Sequence, residues 1–322
     1  MMFEPETNNR SMLTRTAAIA SVCTAIALLC LKLWATAQSG SSAMLASLTD
    51  TSLDLMASIM TLVAVAYAAR PADEEHRFGH GKAESLAAGA QVILVGVAAV
   101  LIALSAIKEL FTGGSATVST GPAITVSAIA VVMTLALIGY QSFVVSRTGS
   151  VAIKADALHY RADLLLNLSV IGALVAQTFT SASWIDPVCG IAIAAWLAYG
   201  AWETANEALD HLMDREWDEE RRELLVKTVA KHTAVSNLHD LRTRTSGVNH
   251  FAQFHVDMPA DTTVEEAHDV IEAIEEDLAR VFPQTEIIVH VDPEGHVDEP
   301  GNPLREIDEF AIIEVDFGRK AA

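Results

Sequence analysis

SLTDTSLDLMAS, Ser47–Ser58, sets two aspartates inside an apolar run: from Leu33 to Ala69, Asp50 and Asp54 are the only charged residues. Such a run reads as a membrane helix, since about 20 mostly apolar residues cross a bilayer. An aspartate at the bilayer centre costs about 2.5–3.5 kcal/mol even on a lenient insertion scale. Each carboxylate therefore has to face a partner, water or an ion. The i,i+4 spacing stacks both on one helix face. Two like charges placed so repel each other, and a divalent cation between them removes the repulsion.

A complement lies further on, in ADALHYRADLLLNL (Ala155–Leu168), where His159 and Asp163 are again four apart. The two helices together offer three carboxylates and one imidazole. A four-ligand oxygen and nitrogen set suits tetrahedral Zn²⁺, whereas Mg²⁺ or Ca²⁺ takes six or more oxygens. A single membrane aspartate can be a satisfied structural group, and a histidine near a helix start an interfacial one. Two Asp-containing pairs in separate spans make metal ligation the stronger reading. Arg161 and Asp156 read as interfacial and structural.

Outward from these stretches, six segments qualify as spans: Thr14–Thr36, Ala43–Ala69, Leu86–Leu110, Ala123–Val145, Val151–Thr178 and Ile185–Ala205. The polar start MMFEPETNNR precedes a run longer than a signal-peptide core, so the first span is expected to be retained. Trp34, Tyr67, Trp184 and Tyr199 fall near span ends, where amphipathic rings prefer the interface. The connections near Gly40, Ser115–Gly121 and Ser181–Ser183 hold no Lys or Arg. Arg10, Arg15, Arg70, Arg77, Lys82, Arg147 and Lys154 all belong to the opposite side. Positive residues gather on the cytoplasmic side, so both termini are expected there.

Charge divides the 322-residue chain. From Asp210 onward there are 27 acids and 11 bases, so −16 of the net −20 lies in that part. This predicts a membrane half followed by an acidic soluble half, in segments 1–13, 14–208, 209–294 and an acidic tail, 295–322. An acidic soluble half argues against nucleic-acid binding, which needs Lys and Arg, and suits attraction of cations. Cys23, Cys30 and Cys189 lie in apolar runs without a CxxC pair; they are expected to be buried thiols, not a disulfide or zinc–thiolate set.

After Leu209 the periodicity predicts a helix (RRELLVKTVAKHTA) and two strands (DLRTRTSG, FAQFHVDM). A helix with capping-box spacing (TTVEEAHDVIEAIEEDLARVF) and a strand (TEIIVHVDP) follow. That α-β-β-α-β order implies a small α+β domain. GHVDEPGNPLREIDEF reads as a disordered tail, with AIIEVDF a possible strand beyond it.

Further histidines cluster with carboxylates. In the loop ADEEHRFGHGKAES, Asp73, His76 and His80 fall within eight residues, and Gly79 and Gly81 let the backbone bend around an ion. A solvated loop explains those residues equally well. In the soluble half stand His239, His255, His268, His290 and Asp292, with His290 and Asp292 on one strand face. His211, His232, His250 and His296 are left as background.

Taken in order, SLTDTSLD, PADEEHRFGHGKAESLA, KADALHYRAD, LMDR, HDLRTRTSG and VHVDP make the chain resemble the cation diffusion facilitators, in particular their bacterial zinc and ferrous-iron efflux group. The resemblance runs from about Ala17 to Pro293. It implies six transmembrane helices joined to a cytoplasmic metallochaperone-like domain, assembled as a homodimer in a bacterial inner membrane. It makes Asp50, Asp54, His159 and Asp163 the transport site, and Asp73, His76 and His80 a loop site. His239, His255, His268, His290 and Asp292 become a binuclear cytoplasmic site bridged by the aspartate. Lys82 and Asp214 become a charge interlock at the dimer junction. The implied activity is proton-coupled export of Zn²⁺, or Cd²⁺ or Fe²⁺; a passive divalent channel and a membrane-anchored metal sensor are the rivals. Val291, where relatives often carry a polar residue, and the acidic tail depart from the pattern.

Overall fold

In lipid, every backbone N–H and C=O has to be satisfied within the segment, which leaves the helix as the form an apolar stretch takes. The computed structural model of the protein describes residues 4–39, 42–112, 121–179, 185–295 and 309–310, in two compact units, one of Asn8–Leu212 and the other beginning at Met213, with which the residues up to Thr7 group. Among the described residues, the first unit is built from six long helices: α1 (Glu4–Ser39), α2 (Ser42–Ala68), α3 (Ala83–Thr112), α4 (Gly121–Thr148), α5 (Val151–Phe179) and α6 (Ile185–Leu212). Five of them contain a described stretch long and apolar enough to cross a bilayer. The remaining one, α5, has spanning length but gathers Lys154, Asp156, His159, Arg161 and Asp163 in its first half. The helices run past the predicted spans; α1 starts ten residues before Thr14. The lysine- and arginine-free connections around Gly40, Ser115–Gly121 and Ser181–Ser183 lie almost wholly outside the described residues, as does AIIEVDF.

Burial in this unit is inverted relative to a water-soluble bundle. Large apolar side chains such as Leu53, Met56, Ile93 and Val100 are exposed, while small residues including Ala17, Ala18, Ala88 and Ala155 are buried. Small residues let membrane helices approach closely. A Cβ built at Gly200 would lie 2.9 Å from Leu158 Cδ1, so α6 passes α5 at glycine distance. The three cysteines are free and exposed, which corrects the expectation of buried thiols. An apolar neighbourhood along a span is as compatible with a lipid-facing position as with a protein interior.

The second unit follows the predicted order: α7 (Glu219–Val229), β1 (Ser236–Ser246), β2 (Asn249–Met258), α8 (Val264–Val281) and β3 (Thr285–Pro293). The sheet order is β1-β2-β3, with β1 antiparallel and β3 parallel to β2. Leu225 and Val229 of α7, Leu238, Phe254 and Val256 of the strands, and Ile274 and Leu278 of α8 share one core. Val291 packs against this core, which accounts for an apolar residue there. Thr263 caps α8: its hydroxyl accepts from Glu266 N–H while the Glu266 carboxylate accepts from Thr263 N–H. From the acidic tail, Glu309 pairs with Arg222 at 3.2 Å and Phe310 packs on the core.

Candidate metal centres

In the membrane unit, α2 and α5 bring Asp54, His159 and Asp163 together, each with a ligand atom within 4.8 Å of the others. His159 Nε2 lies 3.0 Å from Asp54 Oδ1 and 3.8 Å from Asp163 Oδ2. One imidazole nitrogen thus faces two carboxylates from two helices, a geometry that a cation can satisfy. Asp50 falls outside that close group, one turn back on α2; its charged neighbours include Asp54, Lys32 and His159. Of the four predicted ligands, three converge and the fourth stands beside them.

What holds α5 in place is a residue read from sequence as merely structural and interfacial. Asp156, one turn before His159, is fully buried. Its Oδ2 accepts from Ser21 Oγ (2.6 Å) and Gln141 Nε2 (2.7 Å), and its Oδ1 from Gln91 Nε2 (3.1 Å). Gln91 also donates to Thr61 Oγ1 at 2.5 Å. Tyr160, the residue after His159, bonds Ser58 Oγ at 2.8 Å and donates to the Ser21 carbonyl at 3.2 Å. Five helices meet in this network. Arg161 is exposed and donates to Ser142 Oγ. The sequence signal for Asp156 was a carboxylate in a span with no i,i+4 acidic partner, which points to side-chain donors from other helices.

The loop between α2 and α3 assembles the second predicted set. His76 Nδ1 and His80 Nε2 lie 3.3 and 3.2 Å from Asp73 carboxylate oxygens. Gly79 adopts φ +77 and donates to the His76 carbonyl, closing the turn that returns His80 to Asp73. The His76 backbone N–H, donating to Asp73 Oδ1 at 2.7 Å, holds that carboxyl below its ordinary range. His80 is buried against Tyr67, and its Nδ1 has no hydrogen-bond partner among the described residues.

In the second unit, strand register does what spacing alone cannot. His239 pairs with His255 across β1 and β2, and His255 with His290 across β2 and β3, so three imidazoles form a row. Asp292 is their hub: Oδ2 lies 2.8 Å from His255 Nδ1 and 3.7 Å from His239 Nε2, and Oδ1 lies 3.4 Å from His290 Nε2. A carboxylate facing different histidines with its two oxygens can bridge two ions. His239 Nδ1 lies 3.0 Å from the Asn237 carbonyl; donation there leaves Nε2 as the metal-facing nitrogen. Irregular pairing on both sides of His239, with Asn237 and Asp240 at positive φ, re-aims that stretch of β1.

His268 is not in this group. It stands on the exposed face of α8 with Asp269 and Glu272, and lines a 380 Å³ groove that Asp292 also borders. Of the five residues implied by the resemblance, His239, His255 and Asp292 form the close group, His290 faces the other Asp292 oxygen, and His268 reaches the same groove as Asp292 from α8 without joining the close group. Two further carboxylates flank the cluster. Asp240 lies 3.8 Å from His255 Nε2 and is held by Arg242, and Asp257 lies 4.0 Å from His239 Nδ1. Asp257 had a visible signal: HVD occurs at 255–257, 290–292 and 296–298, and parallel register pairs the first two copies residue for residue. Of the interlock pair, Lys82 donates to the Leu212 carbonyl at 3.2 Å, and Asp214 sits 3.8 Å from Arg244 Nη1.

Comparison with known proteins finds a matching domain for each of the two units. Residues 18–213 match the cation efflux transmembrane domain and residues 217–294 the cation efflux protein, cytoplasmic domain. The cation-efflux pump FieF of Shewanella oneidensis is 37% identical over 89% of this chain and 97% of its own. That of Salmonella arizonae is 36% identical over 92% of this chain and 96% of its own. A solved structure, the metal-bound C-terminal domain of the CzcD transporter from Thermotoga maritima, is 20% identical over 26% of this chain and all of its own. Its TM-score of 0.24 is too low to bear on the fold. With both domain matches in chain order, and relatives aligned over nearly their whole length, the chain belongs to the cation efflux family, the cation diffusion facilitators, as an integral membrane protein.

Proposed function

We propose that this cation-efflux transporter is a proton-coupled exporter of divalent cations, with Zn²⁺ as its best-fitting cargo. In this reading it works as a homodimer in a bacterial inner membrane with both termini cytoplasmic. The observation that carries the reading is the meeting of Asp54, His159 and Asp163 from α2 and α5 inside the apolar unit, with Asp50 alongside. Mixed nitrogen and oxygen donors favour Zn²⁺ or Cd²⁺ over Mn²⁺. Metal ligands must be deprotonated to bind, so loading from the cytoplasm displaces protons. A rocking motion then exposes the site to the far side, where protons compete for the same atoms and the cation leaves. An imidazole ordinarily titrates near neutral pH, which suits His159 as a coupling group.

The residues of the cytoplasmic cluster fit resident zinc: His239, His255 and Asp292 would hold one ion, with His290 placed for a second on the other carboxylate oxygen. Bound zinc supplies charge and cross-linking there. It biases transport only as far as the two conformations bind it differently. Lys82 and Asp214 are assigned to a charge interlock between subunits on the same reading. The test is Asp54→Ala in proteoliposomes: zinc-driven proton flux is expected to be lost, and survival of that flux overturns the site.

A further inference from the structure

Lys32 is the only charged residue from Thr16 to Thr49, so a lone ammonium is carried into the apolar part of α1. Its side chain is partly buried and donates to Thr51 Oγ1. Thr51 is itself fully buried on α2, immediately after Asp50. The bond ties the ammonium to the turn that carries Asp50, and both Asp50 and Asp163 count Lys32 among their charged neighbours. A lysine inside a span is costly unless it pairs, and here its surroundings are the transport-site carboxylates.

We propose that Lys32 is a resident counter-cation of the transport site, a specificity-determining residue that makes +2 the charge neutralising the site. The proposal rests on the site assignment given above. When Asp50, Asp54 and Asp163 ligate as carboxylates and His159 as a neutral imidazole, the donors carry three negative charges. Lys32 leaves a balance of two, which one divalent cation cancels. A loaded site without net charge is the form that reorients in a low-dielectric interior at least cost, because unpaired charge there is strongly penalised. The same ammonium repels the cargo, which keeps binding loose enough for release.

The experiment is zinc flux in proteoliposomes of the full-length protein, comparing wild type with Lys32→Gln, Lys32→Arg and Thr51→Val. K32Q removes the repulsion, and Coulomb's law at protein-like dielectric predicts a KM for Zn²⁺ at least about tenfold lower. Its kcat is expected to fall as well. K32Q also leaves a site that a trivalent ion neutralises, so block by Tb³⁺ should tighten by a larger factor than the zinc KM. K32R should restore wild-type values, and T51V, which removes the hydrogen bond and keeps the charge, should leave the Tb³⁺-to-Zn²⁺ preference unchanged. A zinc KM that is unchanged or raised in K32Q, or Tb³⁺ and Zn²⁺ shifting by one common factor, overturns the proposal. Persistence of flux in D54A is a separate failure, of the site assignment itself.

Discussion

Asp156→Asn is a near-isosteric change whose cost follows from the donors around it. The carboxylate accepts from Gln91 Nε2 on one oxygen and from Gln141 Nε2 and Ser21 Oγ on the other. An asparagine amide has to aim its NH₂ at one of the two glutamine NH₂ groups, whichever way it is turned. The Ser21 hydroxyl can rotate to accept, but a glutamine relieves the clash only by turning over. Gln91 then gives up its bond to Thr61, and Gln141 its 2.9 Å bond to Ser21. One buried donor is left without a partner, at about 1–3 kcal/mol. The measurement is the apparent unfolding free energy in mixed micelles titrated with a denaturing detergent, in a double-mutant cycle with Gln141→Leu. In the Q141L background the amide can point its NH₂ at Ser21 and its oxygen at Gln91. There the same substitution should cost under about 0.5 kcal/mol, inside the additivity error of such cycles. An equal cost in both backgrounds would show that the network does not tie α5 in the way described.

The capping box of α8 makes Thr263→Ala cost about 1 kcal/mol, read from chemical unfolding of the second unit within the whole protein. Part of that contribution should depend on pH, because the Glu266 carboxyl is held below its ordinary value of 4.5 by the Thr263 backbone N–H, which T263A keeps, and also by the Thr263 hydroxyl, which T263A removes. A lowered folded value stabilises above the unfolded one and is lost as pH falls through it. The gap between T263A and wild type should therefore be constant near neutrality and narrow only on the acid side of that range, where the hydroxyl-to-carboxylate bond is lost; a gap narrowing near neutrality would refute the assignment. His255→Ala removes the imidazole 2.8 Å from Asp292. Zinc at a hundred times its Kd should raise the wild type's stability by about 2.7 kcal/mol. Most of that increment should be absent in H255A when thermal unfolding is compared with and without Zn²⁺, and an undiminished increment would place the bound zinc elsewhere.

The two i,i+4 pairs were legible because spacing along a single helix is fixed by its 3.6-residue turn, and the cost of charge in lipid gave them meaning. The α-β-β-α-β order was legible for the same local reason, through periodicity and a capping box that the structure reproduces at Thr263 and Glu266. Other features depend on segments far apart in the chain. The imidazole row exists because β3 lies parallel to β2 in a register that sets His290 beside His255, and no count along either strand reveals that register. His268 was expected in the same set, yet the face of α8 that buries Ile274 and Leu278 leaves it outside. The cysteines were judged by their apolar neighbours in sequence, which cannot say whether the apolar contact is protein or lipid. Asp156 differs most: its chain neighbours give no hint of Ser21, Gln91 and Gln141, which arrive from three other helices. The sequence by itself determined which ionisable side chains sit in apolar spans or cluster along a segment and which helix face each occupies, because both are local properties of the chain. Only the tertiary structure decided which of them meet, because that depends on how small buried residues let distant helices and strands pack.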